Sequence, residues 1–311
     1  MEAMNRCSRI LALCVAAAAV SLPMAAQSLT DPAGWQRELD AWRAARDRQM
    51  AAPDGWLSLA ALDWLKPGFN SLGSDAKATL RLPGTAPAHV GLITVSGPTV
   101  QLLSPAGGFP EGLTVDGKPA HEGAISTTEA APSQMRIGTL SMVVLDRGGR
   151  FLLRVKDTAS PAVTGYRGLN WYAPDPRRVV LADWTPYLPA HLLELPTAGG
   201  ASLHLPSPGV ARFALDGTTY ALEPVLEDPA AHTLLFIVAD ASNAGDTYPG
   251  GRLLYTQIPD NGIDKTGTVV LDFNRLQNPA CAYTSFASCP QPPDSNRLGV
   301  ALVAGEKRYM H

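Results

Sequence analysis

"GGRLLYTQIPDNGIDKTGTVVLDFNR", residues 250–275, holds two runs of Leu, Val, Thr and Tyr around a loop punctuated by Pro, Asn and Gly. Short runs of this kind with turn residues between them predict paired strands rather than a helix. With Ile258 and Thr268 closing the pair, Leu253 falls opposite Phe273 and Tyr255 opposite Leu271. Strand side chains alternate, so those four form an apolar face while Arg252, Asp272 and Asn274 share the other. A slip of one residue would turn the polar groups into the core.

The same texture runs upstream. "ATLRLPG", "HVGLITVSG", "TVQLLSPAGG" and "LTVDGKPAHEG" are apolar runs broken by Gly, Pro and Asp. "SMVVLDRGGRFLLRVKD" reads as a hairpin turning at Gly148-Gly149, with Leu145, Phe151, Leu153 and Val155 inward. "VARFALDGTTYALEPV" reads as another, turning at Asp216-Gly217. "HTLLFIVAD" is almost continuously apolar, the pattern of a strand buried on both faces. One helix stands apart. After Asp31 as cap and Pro32 at the first position, Trp35, Leu39 and Trp42 form a single stripe. "WLSLAALDWLKPG" suits either a short helix or a strand. Trp56, Trp64, Trp171 and Trp184 are expected in the core.

The fold class expected is mainly β: an N-terminal helix on two antiparallel β-rich lobes, the first a sandwich, with a cystine-stapled C-terminal loop. The divisions are residues 1–26, a signal peptide; 27–67, the helical segment; 68–165, the sandwich-like lobe; and 166–311, the C-terminal lobe. The first of these rests on Arg6 and Arg9, an apolar run from Ile10, and Met24-Ala25-Ala26 before Gln27. That is the charged, apolar and small-residue order of a secretory leader cut after Ala26. The run is shorter than the roughly 20 residues a spanning helix needs. The mature chain is expected in the periplasm or secreted, with no stable membrane insertion. A net charge of −3 without basic blocks argues against nucleic acid.

Cleavage would leave two cysteines, Cys281 and Cys289, in an oxidising compartment, where they pair as a disulfide. They lack the spacing and nearby histidines of a zinc site. Closing so short a loop contributes about 2.5 kcal/mol through the unfolded chain. Pro279, Pro290, Pro292 and Pro293 stiffen the segment and remove donors. Its backbone must therefore be satisfied by side chains, and Asn274, Asn278 and Asn296 suit that task. The same rigidity suits a binding loop. Arg252, Arg275 and Arg297 offer planar donor forks for a carboxylate or phosphate, with Asp272 to orient one of them. Glu306, in the turn "AGEK", is a candidate partner for Arg297.

No G-x-S-x-G elbow, P-loop, dinucleotide fingerprint or H-E-x-x-H occurs, and the histidines are scattered. No cofactor or metal is expected. "DGWLSLAALDWLKPGFNSLGSD", "FLLRVKD", "TYPGGRLL", "VVLDFNRLQNPACAY", "CPQPPDSNRL" and "AGEK" resemble a family of bacterial, often exported proteins known only as a domain of unknown function. The likeness runs from about Trp35 to Lys307 and implies no activity. The rhythm from Gly68 to Lys118 is also similar to forkhead-associated β-sandwiches, which bind phosphothreonine. That family's Gly-Arg falls at Gly73-Ser74, its Ser-x-x-His at Thr85 to His89 with one residue too many, and its Asn-Gly at Asp116-Gly117. Without the phosphate-gripping Arg, the likeness implies the sandwich alone.

The functional expectation is an exported protein binding a small anionic or polar ligand. Its site would draw on Arg252, Asp272, Asn274, Arg275, Asn278, Asn296, Arg297 and Glu306. The alternatives are a hydrolase using Asp272 or Glu306 as general acid or base, and an envelope interaction protein without a small-molecule site.

Overall fold

The computed structural model describes residues 31–53, 55–197, 202–228 and 232–310. The leader read from residues 1–26, with Cys7 and Cys14, lies outside them. Helix α1 is Pro32–Ala51; the Asp31 side chain accepts from the Gly34 N–H, and Trp35 and Leu39 are buried. The ambiguous stretch after it resolves into a short turn and then a strand.

Eleven strands follow: β1 Leu59–Trp64, β2 Gly68–Gly73, β3 Leu80–Arg81, β4 Gly91–Ser96, β5 Thr99–Leu103, β6 Thr114–Val115, β7 Lys118–Pro119, β8 Gly123–Ala124, β9 Met135–Ile137, β10 Leu140–Asp146 and β11 Phe151–Asp157. They form a six-stranded sheet, β1-β11-β10-β9-β6-β7, and a five-stranded one, β3-β2-β4-β5-β8. Alternate residues of both point into one core. Leu72, Ile93, Val100 and Leu102 come from one sheet; Met135, Met142, Val144, Leu153 and Val155 come from the other. β10 and β11 turn at Gly148-Gly149, both with positive φ, as the sequence predicts.

After the one-turn α2, Pro161–Thr164, come β12 Val179–Pro196, β13 Ser202–Leu215, β14 Thr218–Leu222, β15 Thr233–Val238, β16 Arg252–Gln257 and β17 Gly267–Asp272. One sheet runs β14-β13-β12-β17 and a second is the pair β15-β16. Both pack on a second core that includes Trp184, Phe213, Phe236, Leu254, Leu271 and Phe273. β13 and β14 turn at Asp216-Gly217 as expected. The fold is mainly β, with one long helix, antiparallel sheets and a Cys281–Cys289 disulfide.

Two expectations fail. β16 and β17 do not pair as a hairpin. β16 pairs with β15, and β17 pairs with β12. β17 lies along β12, the longest strand of the lobe, and β16 along β15, which is buried from Leu234 to Val238, and the link between them is left to close on itself. Trp56 and Trp64 are each 46% exposed rather than buried, and Arg150 lies over the Trp64 ring.

Residues 299–307 carry almost no regular structure, yet Leu302, Ala304 and Glu306 are fully buried while Gly299 and Val303 stay exposed. Arg252, also fully buried, holds them. Its Nη2 donates to Asp240 Oδ2 at 2.8 Å and to the Leu302 carbonyl at 2.8 Å; Nη1 donates to the Ala304 carbonyl at 2.5 Å. Removing one member of a buried pair strands the other without solvent. Arg252→Met should therefore lower unfolding stability by about 3–5 kcal/mol, read as the urea midpoint. Adding Asp240→Asn should return part of that loss. A single variant within 1 kcal/mol of the parent would refute the role assigned to Arg252.

Candidate ligand site

The failed hairpin leaves a cavity. The two strands meet at both ends. At one end the Asp260 N–H donates to the Thr268 carbonyl, and the Asp260 carboxylate accepts from the Thr268 N–H and hydroxyl. At the other, Leu253 and Gln277 exchange two backbone hydrogen bonds. Six residues (254–259) lie between these points on one strand, and eight (269–276) on the other. The longer side cannot zip against the shorter, and its surplus coils into the single turn Phe273–Arg275. The gap between the two strands opens into a cavity of about 370 Å³.

Trp42 of α1 forms one wall, with Tyr255, Thr256, Gln257 and Ile258 from β16 and its exit. Val269, Val270, Asp272, Arg275 and Gln277 line the other side. Asp272 caps the one-turn helix by accepting from the Asn274 N–H, and this aims Arg275 into the gap. Arg275 Nε donates to Asp272 Oδ2 at 3.3 Å, and its guanidinium lies 5.5 Å from the centre of the Trp42 ring. Among the described residues its terminal nitrogens make no hydrogen bond, so both remain as donors. Trp35 Nε1 also donates to Asp272 Oδ2, at 3.1 Å, so the helix that brings Trp42 is fastened to the same carboxylate. Burial pushes the Tyr255 phenol up to about 12, and the Glu227 carboxylate adds to it. The phenol therefore stays a neutral donor and acceptor at neutral pH.

Of the eight residues singled out from the sequence, Asp272 and Arg275 line this cavity. Of the others, Asn274 bonds Asp272, and Asn278 and Arg252 meet Glu306, while Asn296 and Arg297 lie elsewhere. Arg252 sits in the Asp240 network. Asn274 accepts from the Asp175 N–H and donates to the Asp175 carbonyl. Asn296 pins Glu223 and the Ile237 carbonyl. Arg297 pairs with Asp294 instead of Glu306 and is half exposed. The asparagines thus hold irregular backbone, because no ladder is there to do it. Trp42, Tyr255, Gln257 and Gln277 were not singled out. The stripe on α1 gave a signal for Trp42, but only as a core residue.

Glu306 lies apart, fully buried. Its carboxylate accepts from Arg46 Nε, the Asn278 N–H and side-chain amide, and the Tyr283 hydroxyl. Burial pushes it up to about 7, although Arg46 and Asn278 pull the other way. The folded value thus lies above the ordinary 4.5. The associated stability is full below pH 4.5 and is lost as pH rises through about 7. The loss is about 3 kcal/mol. Thermal midpoints should therefore fall between pH 5 and 8, and Glu306→Gln should flatten that slope whatever its own cost. An unchanged slope in the variant would rule out Glu306 as its source.

No curated protein matches the chain. A solution structure of an uncharacterized protein from Haloarcula marismortui is 30% identical over 46% of this chain and 78% of its own, with a TM-score of 0.40. A family model described as protein of unknown function, DUF1684, matches residues 164–307. This span is narrower than the one over which the motifs run, and it includes every cavity residue except Trp42. The chain therefore carries, at residues 164–307, a DUF1684 domain.

Proposed function

We propose that the protein is an exported receptor for a small molecule with an apolar body and an anionic or polar end, bound between β16 and β17. Support comes above all from Arg275, a guanidinium whose terminal nitrogens make no hydrogen bond among the described residues, in a cavity whose lining also includes Trp42, Ile258, Val269 and Val270. A volume near 370 Å³ falls within the range of ligand pockets. It equals about a dozen water volumes, which suits a ligand of similar heavy-atom count. Arginine presents a fork to a carboxylate, and its partner Asp272 fixes that fork without occupying its outer nitrogens. Gln257 and Gln277 can then read a second polar group. Export is supported by the leader read from the sequence and by the cystine, a bond that persists in oxidising compartments. No helix of the described residues is long and apolar enough to cross a membrane. A hydrolytic reading places Asp272 as base. Its oxygens already accept from Trp35, Asn274 and Arg275, which fits an orienting group better.

Thermal shift against aromatic and short-chain carboxylates, each beside its neutral amide, separates these readings. A matching carboxylate at 100 times its Kd should stabilise the chain by about 2.7 kcal/mol, a rise of several degrees. The amide should bind more weakly, and Arg275→Ala should lose at least tenfold in affinity. Equal shifts for acid and amide, or an unaffected Arg275→Ala, would remove the anionic reading. Turnover of the corresponding esters, abolished by Asp272→Asn, would replace it with the hydrolytic one.

A further inference from the structure

The two strands that flank the cavity turn an edge towards each other and form no ladder across it. β16 gives its other edge to β15, and β17 gives its other edge to β12. Backbone groups of a strand point to its two edges alternately, so the closing contacts show which of them face the gap. Leu253 exchanges two backbone hydrogen bonds with Gln277 on the gap side, so Tyr255 and Gln257 point their N–H and C=O the same way. Leu235, the register partner of Tyr255, agrees with this: it exchanges its own two bonds with Val225, away from β16. On the facing strand the Thr268 carbonyl accepts from the Asp260 N–H, so Val270 also points its N–H and C=O into the gap. The Gln257 carbonyl accepts from the Thr256 hydroxyl at 3.0 Å and keeps one lone pair.

The cavity also carries opposite charges towards its two ends. Arg275 lies two residues before Gln277, which closes one end, and Asp260 closes the other with Thr268. Hydrogen bonds from the Thr268 N–H and hydroxyl hold the Asp260 carboxyl below the usual carboxylate range, so it is ionised at neutral pH.

We propose that the ligand of this cavity is a peptide of two or three residues with free ends, held extended between β16 and β17; this rests on the reading of the cavity as a ligand site. Its carboxylate meets the Arg275 fork, its ammonium meets Asp260, and its amide groups take the strand edges that face the gap. A peptide so directed runs antiparallel to β16 and parallel to β17, and both arrangements form backbone hydrogen bonds. Antiparallel pairing lets one of its residues exchange two bonds with Tyr255. A small branched side chain suits the wall that holds Ile258 and Val270. A cavity of about 370 Å³ has room for about a dozen heavy atoms, the size of a dipeptide.

Titration calorimetry of the full chain with alanyl-valine tests this. The comparison ligands are its C-terminal amide, its N-acetyl form and the ester analogue in which oxygen replaces the peptide N–H. Alanyl-valine should bind, and the two end-blocked forms should each bind at least tenfold more weakly. The ester analogue, of the same shape, should lose at least fivefold, because it leaves a backbone carbonyl of the strand edge without its donor. Arg275→Ala should weaken alanyl-valine at least tenfold and leave the C-terminal amide as it was. Asp260→Asn should weaken alanyl-valine and leave the N-acetyl form as it was. The ligand series needs no variant, so it decides the matter even where a variant folds poorly. Equal affinity for the dipeptide and its ester analogue would overturn the peptide assignment, as would equal affinity for the N-acetyl form. Arg275-dependent binding of isovalerate with none of alanyl-valine would overturn it and leave the carboxylate reading intact. Binding of neither would remove both.

Discussion

The structure of the C-terminal half depends on how a chain segment without a ladder is held inside a β core. Residues 299–307 are irregular and are buried at Leu302 and from Ala304 to Glu306, so the carbonyls buried there need donors from elsewhere. Arg252 provides them for Leu302, Ala304 and, at 3.3 Å, Glu306. The guanidinium can be buried because Asp240 balances its charge and the carbonyls accept from both of its terminal nitrogens. The Glu306 N–H in turn donates to the Leu276 carbonyl, and its carboxylate takes the Asn278 N–H. Those two contacts fix the chain on either side of Gln277, which is the residue that bridges to Leu253 and closes one end of the cavity. A single buried arginine, next in the chain to Leu253, therefore holds the segment that fixes Gln277 against Leu253.

Helix α1 belongs to the same arrangement. It has few apolar anchors, and its grip is polar: Trp35 to Asp272, Arg43 to the Tyr172 carbonyl, and Arg46 to the Asn278 carbonyl, Tyr283 and Glu306. Directional bonds at several points along its length fix both its depth and its rotation. Trp42 is held in consequence at the cavity edge rather than drawn into it. A purely greasy helix, free to slide, would tend to close the gap with its own side chains.

Much of the architecture was legible because period-two alternation and glycine turns are local signals. The Gly148-Gly149 and Asp216-Gly217 hairpins need φ above zero at their tips, which these residues supply at little cost. The disulfide was legible from the count of cysteines left after a leader. The misread hairpin shows where local signals stop. The alternation of residues 252–257 and 267–272 is real, and both segments are strands. Alternation fixes which face a residue points to, but not which neighbour the strand pairs with. β15 and β12 competed for those edges and won, and nothing within residues 250–275 encodes that competition. The polar residues of the cystine segment were picked for the right chemistry and the wrong use. Asn278 and Asn296 are spent on backbone, and Glu306 on Arg46, Asn278 and Tyr283. Arg275 was one guanidinium among three in the sequence. Only the one-turn helix that follows Asp272 distinguishes it.

That turn also accounts for the persistence of an open cavity in a well-packed lobe. Collapse would require the eight-residue side to shorten, and Phe273, fully buried against Phe213, anchors the surplus from within the core. It would equally require Leu253 to give up Gln277, whose neighbours are tied to the tail. Both routes break interactions on the buried side of the sheet to gain contacts on the partly exposed side. A cavity held open by the core beneath it, lined by an arginine and an indole, would be preorganised for the ligand proposed above. The cost of forming it is met in folding, so a ligand entering it has little reorganisation left to drive.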